Sequence, residues 1–145
     1  EIITLGGIGL PQVPQAPKVF LTGNDKDTVA RHAKSSGADN KIYGIVGPII
    51  GASGLLLGLA KKRNIPATCY LAETFGHPMY LGMRGSRAIV DCLNKSIALG
   101  ISLEQLDKEV VEVEKDTEEG DAPKKGKYKK IADQMAQQQD TNYIG

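Results

Sequence analysis

Nineteen consecutive residues between Lys41 and Lys61 carry no charge, and this stretch constrains the fold more than any other part of the sequence. About 20 apolar residues can cross a bilayer as a helix, so the length alone permits a membrane span. Five glycines and a proline interrupt the stretch, however, and both residue types favour turns over one continuous helix. The pattern therefore favours a buried strand at residues 42–46, a glycine-rich turn and a buried helix at residues 54–63.

Four glycines recur at intervals of four, three and four residues in this turn and helix: Gly47, Gly51, Gly54 and Gly58. A glycine-rich turn before a helix can hold a phosphate on backbone N–H groups, and Ser53 is a candidate cap for the helix. The lysine and hydroxyl pair of a P-loop is missing, and so is the third glycine of a dinucleotide fingerprint. The pattern favours a structural glycine turn, with Gly54 and Gly58 on a helix face that approaches its neighbours closely.

Short apolar segments alternate with helical patterns along the first 115 residues. Strands are predicted at residues 2–5, 19–22, 42–46 and 67–72, and helices from a cap at Asn24 or Asp25 to about Gly37, at residues 54–63 and at residues 86–99. Residues 73–85 are expected to form a loop. Strands without polar alternation, separated by helices, predict an α/β fold with a mainly parallel sheet and helices on both faces.

The C-terminal part reads as a helical extension of this domain. Ser102 begins a capping-box pattern, and apolar residues then step by three and four positions: Leu103, Leu106, Val110 and Val113. So narrow a stripe suits either a solvated helix or a seam between the helices of an oligomer. Residues 116–127 predict a flexible linker, and residues 128–145 predict a short helix and tail. One face of that helix carries Tyr128, Ile131 and Met135.

Composition argues against several classes of function. The 145 residues carry a net charge of +1, so no overall field attracts nucleic acid or a membrane surface. Aromatic residues make up 5% and tryptophan is missing, which argues against a base-stacking platform. The two cysteines, Cys69 and Cys92, predict buried thiols in a reducing compartment rather than a disulfide or a metal site. The sequence opens at Glu1 in a strand pattern, which suggests a piece of a longer domain.

Catalytic chemistry has few candidates. Glu73 and His77 lie four residues apart, just after a predicted strand whose end faces a crevice. They are candidates for an acid–base pair or for two metal ligands, and with Ser53 they would suit an enzyme that binds phosphate or a small molecule. Because no third ligand or nucleophile accompanies them, a hydrogen bond that orients the loop is the favoured role, and no cofactor is expected. His32 lies on the surface of a predicted helix and carries no functional signal.

Three segments, in this order, resemble one protein family. They are Gly51-Ala-Ser-Gly-Leu-Leu-Leu, Arg63-Asn-Ile-Pro-Ala and Leu71-Ala-Glu-Thr-Phe-Gly, and they are similar to the central motifs of archaeal proteasome assembly chaperones. The resemblance covers about residues 1–115, a span typical of one domain, and corresponds to the later part of the family's domain. One departure is Gly85-Ser86-Arg87-Ala88, where the family often shows Asp-Pro followed by small residues.

The resemblance implies an ATP-independent, non-catalytic scaffold of the cytoplasm. Members of this family help the α-subunits of the 20S proteasome assemble, and they form homo- or hetero-oligomers with related chaperone subunits. Some dock between α-subunits through a C-terminal tail that contains a tyrosine. The tail here ends in Tyr143, Ile144 and Gly145, so the tyrosine is third from the end and the match is partial. Such a tail binds physically through its aromatic ring and its terminal carboxylate.

Overall fold

The computed structural model describes residues 1–42, 47–77, 80–108 and 110–111. The chain divides into two units, Glu1–Asp107 and Lys108–Gly145, and nearly all of the described residues belong to the first. The elements of this described part are β1 (Ile2–Leu10), β2 (Val19–Gly23), α1 (Lys26–Ser36), α2 (Ala52–Lys62), β3 (Ala67–Phe75) and α3 (Met83–Ile97). Within the same residues, no helix has both the length and the apolar character needed to cross a membrane.

The strands form a mixed sheet in the order β1-β3-β2. β1 runs parallel to β3, with Ile2 opposite Ala67, whereas β2 runs antiparallel to β3, with Val19 opposite Ala72. The α/β class is confirmed, but the mainly parallel sheet is not, because one of the two strand pairings is antiparallel. The physical reason is the connection at residues 11–18, which contains three prolines and no helix. A parallel return needs a long crossover, so this short connection brings β2 back in the opposite direction.

β3 lies between the other two strands and is covered on both faces of the sheet. The core on one face, beneath α1 and α3, contains Val19, Leu21, Ala38, Tyr70, Ala72, Ile89, Cys92 and Leu93. The core on the other face, beneath α2, contains Phe20, Cys69 and Leu71, with Leu57 and Ile8 packed against them. Both cysteines are buried, as predicted, and burial raises the pKa of each thiol.

Several elements extend beyond their predicted bounds. The sequence pattern ends the first strand at Leu5, whereas β1 continues through glycines to Leu10 because β3 offers hydrogen-bonding partners along the whole register. The predicted loop at residues 73–85 is shorter in the structure, since β3 reaches Phe75 and α3 begins at Met83. The predicted strand at residues 42–46 lies almost wholly outside the described residues, and its one described residue, Ile42, is not in a strand.

The two predicted caps have different outcomes. Asp25 caps α1, because its carboxylate accepts a hydrogen bond from the N–H of Thr28 at 2.8 Å, and hydrogen bonding to Thr28 lowers the pKa of this carboxyl. The prediction that Ser53 caps α2 is wrong. The cap is Gly51, whose φ of 88° lies in the left-handed region that favours glycine, and Ser53 lies within the helix. The Ser53 hydroxyl instead donates to the carbonyl of Leu5 at 3.1 Å.

Asn24 joins the end of β2 to three other segments. Its side-chain amide donates to the carbonyls of Leu57 (3.3 Å) and Ile65 (3.0 Å), and its side-chain carbonyl accepts from the N–H of Ala67 at 2.9 Å. One side chain therefore satisfies three backbone groups from α2, from the turn after α2 and from β3. Such a partly buried polar side chain fixes a unique arrangement only because its hydrogen bonds are made.

His32 belongs to the interior and not to the helix surface, so the prediction for this residue is wrong. Its side chain is 3% exposed, and its Nδ1 lies 2.9 Å from the hydroxyl of Tyr70 while its Nε2 contacts the carboxylate of Glu1. The Tyr70 hydroxyl donates in turn to Ser96 Oγ at 2.9 Å, and burial raises the pKa of Tyr70. This chain of polar contacts links Glu1, just before β1, to α1, β3 and α3.

The two glycines of α2 have opposite surroundings. A Cβ at Gly54 would clash with the carbonyl oxygen of Ile49, so the predicted close approach exists at this position. At Gly58 no described atom outside the neighbouring residues and backbone of its own helix lies within 4 Å of where a Cβ would stand, so the predicted close approach at Gly58 is wrong. The helix therefore needs a glycine at its first turn and not one turn later.

Substituting these two glycines by alanine gives a matched test. Gly54→Ala is expected to destabilise the fold by more than about 1 kcal/mol, because the backbone of Ile49 must move. Gly58→Ala is expected to stabilise it by about 0.5–1 kcal/mol, because alanine loses less conformational entropy in a helix. Urea unfolding of both variants measures the difference. Equal midpoints for the two variants would contradict this account of the turn.

Candidate functional site

Glu73 holds the start of β2 against β3. Its carboxylate accepts a hydrogen bond from the backbone N–H of Lys18 at 2.9 Å, and its own N–H donates to the Lys18 carbonyl at 3.0 Å. This is the loop-orienting role that the sequence favoured. Because the carboxylate already accepts a backbone hydrogen bond, Glu73 acts here as a structural residue of the sheet.

The other two candidate catalytic residues also have structural contacts. The ring of His77 stacks on Phe75, with 5.6 Å between the centroids and an interplanar angle of 11°. Ser53 binds the edge of β1 through Leu5, as described above. In residues 1–42, 47–77, 80–108 and 110–111, no group of three His, Cys, Asp or Glu side chains is arranged to hold a metal ion. The three candidate residues therefore contact three different residues: Ser53 binds Leu5, Glu73 binds Lys18 and His77 stacks on Phe75.

The predicted partner-binding residues have no structural description. Tyr128, Ile131, Met135, Tyr143, Ile144 and Gly145 all lie outside the described residues, as does Val113 of the predicted oligomer seam. The other seam residues, Leu103, Leu106 and Val110, are partly buried. Residues 104–108 are helical, and the Ser102 hydroxyl accepts from the N–H of Glu104 at 3.3 Å, which fits the predicted start of a helix.

An apolar patch follows the end of α3. We call Ile97, Leu99 and Ile101 the α3 turn patch; their side chains are between 41% and 48% exposed. The helical spacing predicts one apolar face of Ile89, Val90, Leu93 and Ile97, but α3 ends at Ile97 and only Ile89 and Leu93 of these four are buried. Exposed apolar residues that cluster within one turn are typical of surfaces that bind other proteins.

The α3 turn patch has a defined backbone conformation. Ala98 and Gly100 both have left-handed φ angles, of 53° and 67°, which reverse the chain at the end of α3. The side chain of Asn94 then holds Ile101 from both sides: its amide donates to the Ile101 carbonyl at 2.8 Å, and its carbonyl accepts from the Ile101 N–H at 3.1 Å. No pattern in the sequence points to Asn94, and the signal available for the patch is the apolar pair Leu99 and Ile101 around Gly100.

An ion pair fixes the chain just beyond this patch. Arg87 Nε of α3 donates to Asp107 Oδ1 at 2.6 Å, and this hydrogen bond lowers the pKa of the Asp107 carboxyl. Both partners are well exposed, so the pair is screened by salt and its contribution to stability is small. It joins Asp107 to the side chain of Arg87 in α3.

Asn94→Ala is expected to loosen the α3 turn patch without unfolding the protein. The variant loses two hydrogen bonds to Ile101, each worth about 1 kcal/mol, so exchange of the Ile101 amide should accelerate about tenfold or more. The control is Lys95→Ala, at the residue next to Asn94. This variant removes the exposed ion pair between Lys95 and Asp91. Hydrogen exchange measured by NMR gives the exchange rate of the Ile101 amide in both variants. If Asn94→Ala leaves the Ile101 amide unchanged, Asn94 does not hold the turn.

Comparisons with known proteins place this geometry in a family. The profile of the PAC2 family matches residues 1–119. An uncharacterised protein of Methanocaldococcus jannaschii is 27% identical over 152 residues, which cover 99% of this chain and 54% of that protein. The chain therefore spans about half the length of this relative.

Two solved structures from Pyrococcus furiosus are similar. PbaA, described as an archaeal homolog of proteasome-assembly chaperone, has a TM-score of 0.69 and 26% identity, over 99% of this chain and 56% of PbaA. PbaB, described as an archaeal proteasome activator, has a TM-score of 0.70 and 26% identity, over 79% of this chain and 48% of PbaB.

Proposed function

Because this chain belongs to the PAC2 family, we propose that it is an ATP-independent, non-catalytic assembly factor that binds α-subunits of the 20S proteasome as an oligomer. The observation that carries the proposal is the match of the family over residues 1–119 together with the likeness to PbaA and PbaB. Their descriptions concern proteasome assembly and activation. The proposed partner places the protein in the cytoplasm of an archaeal cell.

The surface of the described unit supports a role in protein binding. The α3 turn patch presents three apolar side chains on a turn held by Asn94, and an ordered apolar patch binds a partner at small entropic cost. Glu73, by contrast, is engaged with backbone at the start of β2. These contacts favour a scaffold over the alternative, an α/β enzyme with a phosphate or small-molecule site near Ser53, Glu73 and His77.

The tail is a second proposed contact with the α-subunits. Tyr143, Ile144 and Gly145 would dock as an aromatic ring and a carboxylate, with Tyr128, Ile131 and Met135 as an apolar helix face behind them. Tethering a weak motif to a bound body raises its effective concentration, so modest contacts become useful once the body is in place. Tyr143 carries most of the expected energy, because a rigid aromatic side chain buries a large area.

Capture of purified archaeal 20S α-subunits by the immobilised chain, without ATP, tests this function. We expect capture by the wild type, and about tenfold weaker capture by Tyr143→Ala and by Leu99→Lys, which disrupt the tail and the α3 turn patch. Tyr143→Phe is the control that keeps the ring. Failure of the wild type to capture α-subunits contradicts the function, whereas capture that survives Tyr143→Ala contradicts the tail contact alone.

Self-association is proposed to use the seam of Leu103, Leu106, Val110 and Val113. A stripe of this width buries too little surface for a stable helix by itself, so it gains stability by packing against another helix. Light scattering should give a mass of more than one chain at micromolar concentration. Leu106→Lys, which places a charge in the stripe, should lower that mass, while Glu104→Lys on the exposed side should not. A monomeric wild type would contradict the seam.

A further inference from the structure

One side of α2 faces the sheet and the other faces solvent. Ser53, Leu57 and Ala60, spaced by four and three residues, are buried or partly buried, and Leu57 packs against the core beneath the helix. The opposite side is exposed, and its positions are again spaced by three and four residues: Ala52, Leu55, Leu59 and Lys62. Leu55 is 63% exposed, and Leu56 and Leu59 are exposed as well. Several large apolar side chains on one helix face are typical of a surface that binds protein.

Gly58 leaves a gap at the edge of this exposed face. Its φ lies outside the left-handed region, and no described atom beyond its own helix and its neighbours would contact a Cβ at this position. Glycine in the middle of a helix costs about 1 kcal/mol relative to alanine. The described part of the chain offers no packing reason for this glycine, whereas a second helix lying against the exposed face supplies one. We call this surface the α2 outer face: Ala52, Leu55, Leu56, Gly58, Leu59 and Lys62.

The charges of α2 restrict how a second helix can lie on this face. Lys61, Lys62 and Arg63 stand together at the C-terminal end of α2, and the helix itself has no acidic residue. Two copies of α2 in a parallel pair would bring these cations together, and like charges at short range repel one another. An antiparallel pair keeps the two groups of cations at opposite ends of a helix about 16 Å long. It also sets the two helix dipoles in opposite directions, which is the favourable arrangement.

We propose that two copies of this chain pair through their α2 outer faces, with the two helices antiparallel about a two-fold axis near residue 57. Leu55 then lies opposite Leu59 of the partner copy, and the two-fold axis produces the same contact a second time. On one side of these leucine layers, Leu56 meets Leu56 of the partner copy. On the other side, Gly58 meets Gly58 of the partner copy. Two glycines where the helices cross let the backbones approach closely, so the leucine layers pack without a gap.

The size of this contact sets its expected strength. A stable interface buries about 800 Å² on each partner, and one pair of three-turn helices buries less than that. We therefore expect a weak, reversible pair with a dissociation constant of about 10–100 µM. The pair is separate from the seam of Leu103, Leu106, Val110 and Val113, and it adds a second contact to the proposed oligomer. A chain with two different contacts of this kind builds assemblies larger than a dimer.

Sedimentation equilibrium of the 145-residue chain, from about 5 to 500 µM, tests the pair. All proteins carry Leu106→Lys, so that the seam does not contribute, and circular dichroism shows that each is folded. We expect a monomer–dimer equilibrium that Leu55→Lys and Gly58→Gln each weaken about tenfold, because the first places a charge in the leucine layers and the second holds the helices apart. The controls are Leu99→Lys and Ala30→Gln, which make matching changes at exposed positions outside the α2 outer face.

Disulfide trapping tests the direction of the two helices. The native thiols, Cys69 and Cys92, are buried, so cysteines introduced on the α2 outer face react selectively. A mixture of Leu55→Cys and Leu59→Cys chains should form the mixed disulfide about fivefold faster than either variant forms a disulfide with itself, because only opposite positions bring the two Cβ atoms within reach. A parallel pair gives the reverse pattern, since each introduced cysteine then lies beside its own copy.

The proposal is overturned if the chain is monomeric over the whole concentration range, or if Leu55→Lys and Gly58→Gln associate as strongly as their controls. Self-disulfides that form faster than the mixed disulfide overturn the antiparallel arrangement. Another occupant is indicated if the chain stays monomeric while Gly58→Gln, and not Ala30→Gln, weakens capture of proteasome α-subunits or binding to phosphatidylglycerol vesicles. The association measurements contain no proteasome subunits, so failure of this pair and failure of the proposed function are distinguishable.

Discussion

The burial of β3 between two strands and two helical layers is the constraint on which the rest of the structure depends. Its residues from Ala67 to Ala72 are all buried, so the polar groups of this backbone need hydrogen-bonding partners, which β1, β2 and the side chain of Asn24 supply. That requirement fixes the register on both sides. Two polar side chains beside this strand, the partly buried Asn24 and the buried His32, each bind more than one partner.

The sequence was informative where a single local signal decided the structure. The α/β class, the Asp25 cap and the buried cysteines follow from hydrophobic pattern, capping chemistry and residue size. The length of β1 does not, because it depends on pairing with β3, which is more than 40 residues away in the chain. Glycine in Gly6-Gly7 reads locally as a turn, and only pairing with Leu71 and Ala72 makes it part of a strand.

Candidate site residues were harder to predict than the fold, for a related reason. Glu73 and His77 attract attention by residue type, yet their roles are set by Lys18 and Phe75, whose proximity is a property of the folded sheet. In the α3 turn patch, the sequence pattern suggests an ordinary buried residue where the structure has an exposed one. Ile97 continues the helical spacing of the apolar residues, and this pattern indicates burial. Its side chain is exposed to solvent because α3 ends at this residue.

The pairing of β1 with β3 has a consequence for the order of events in folding. Ile2 meets Ala67, so the ends of this contact are separated by 65 residues, and closing so long a loop is slow compared with forming a helix. During synthesis, the edge of β1 that pairs with β3 stays open until β3 has emerged from the ribosome. At about 5–20 residues per second, that interval lasts several seconds. An uncharged strand exposed for this time is a ready target for holdase chaperones or for pairing between nascent chains.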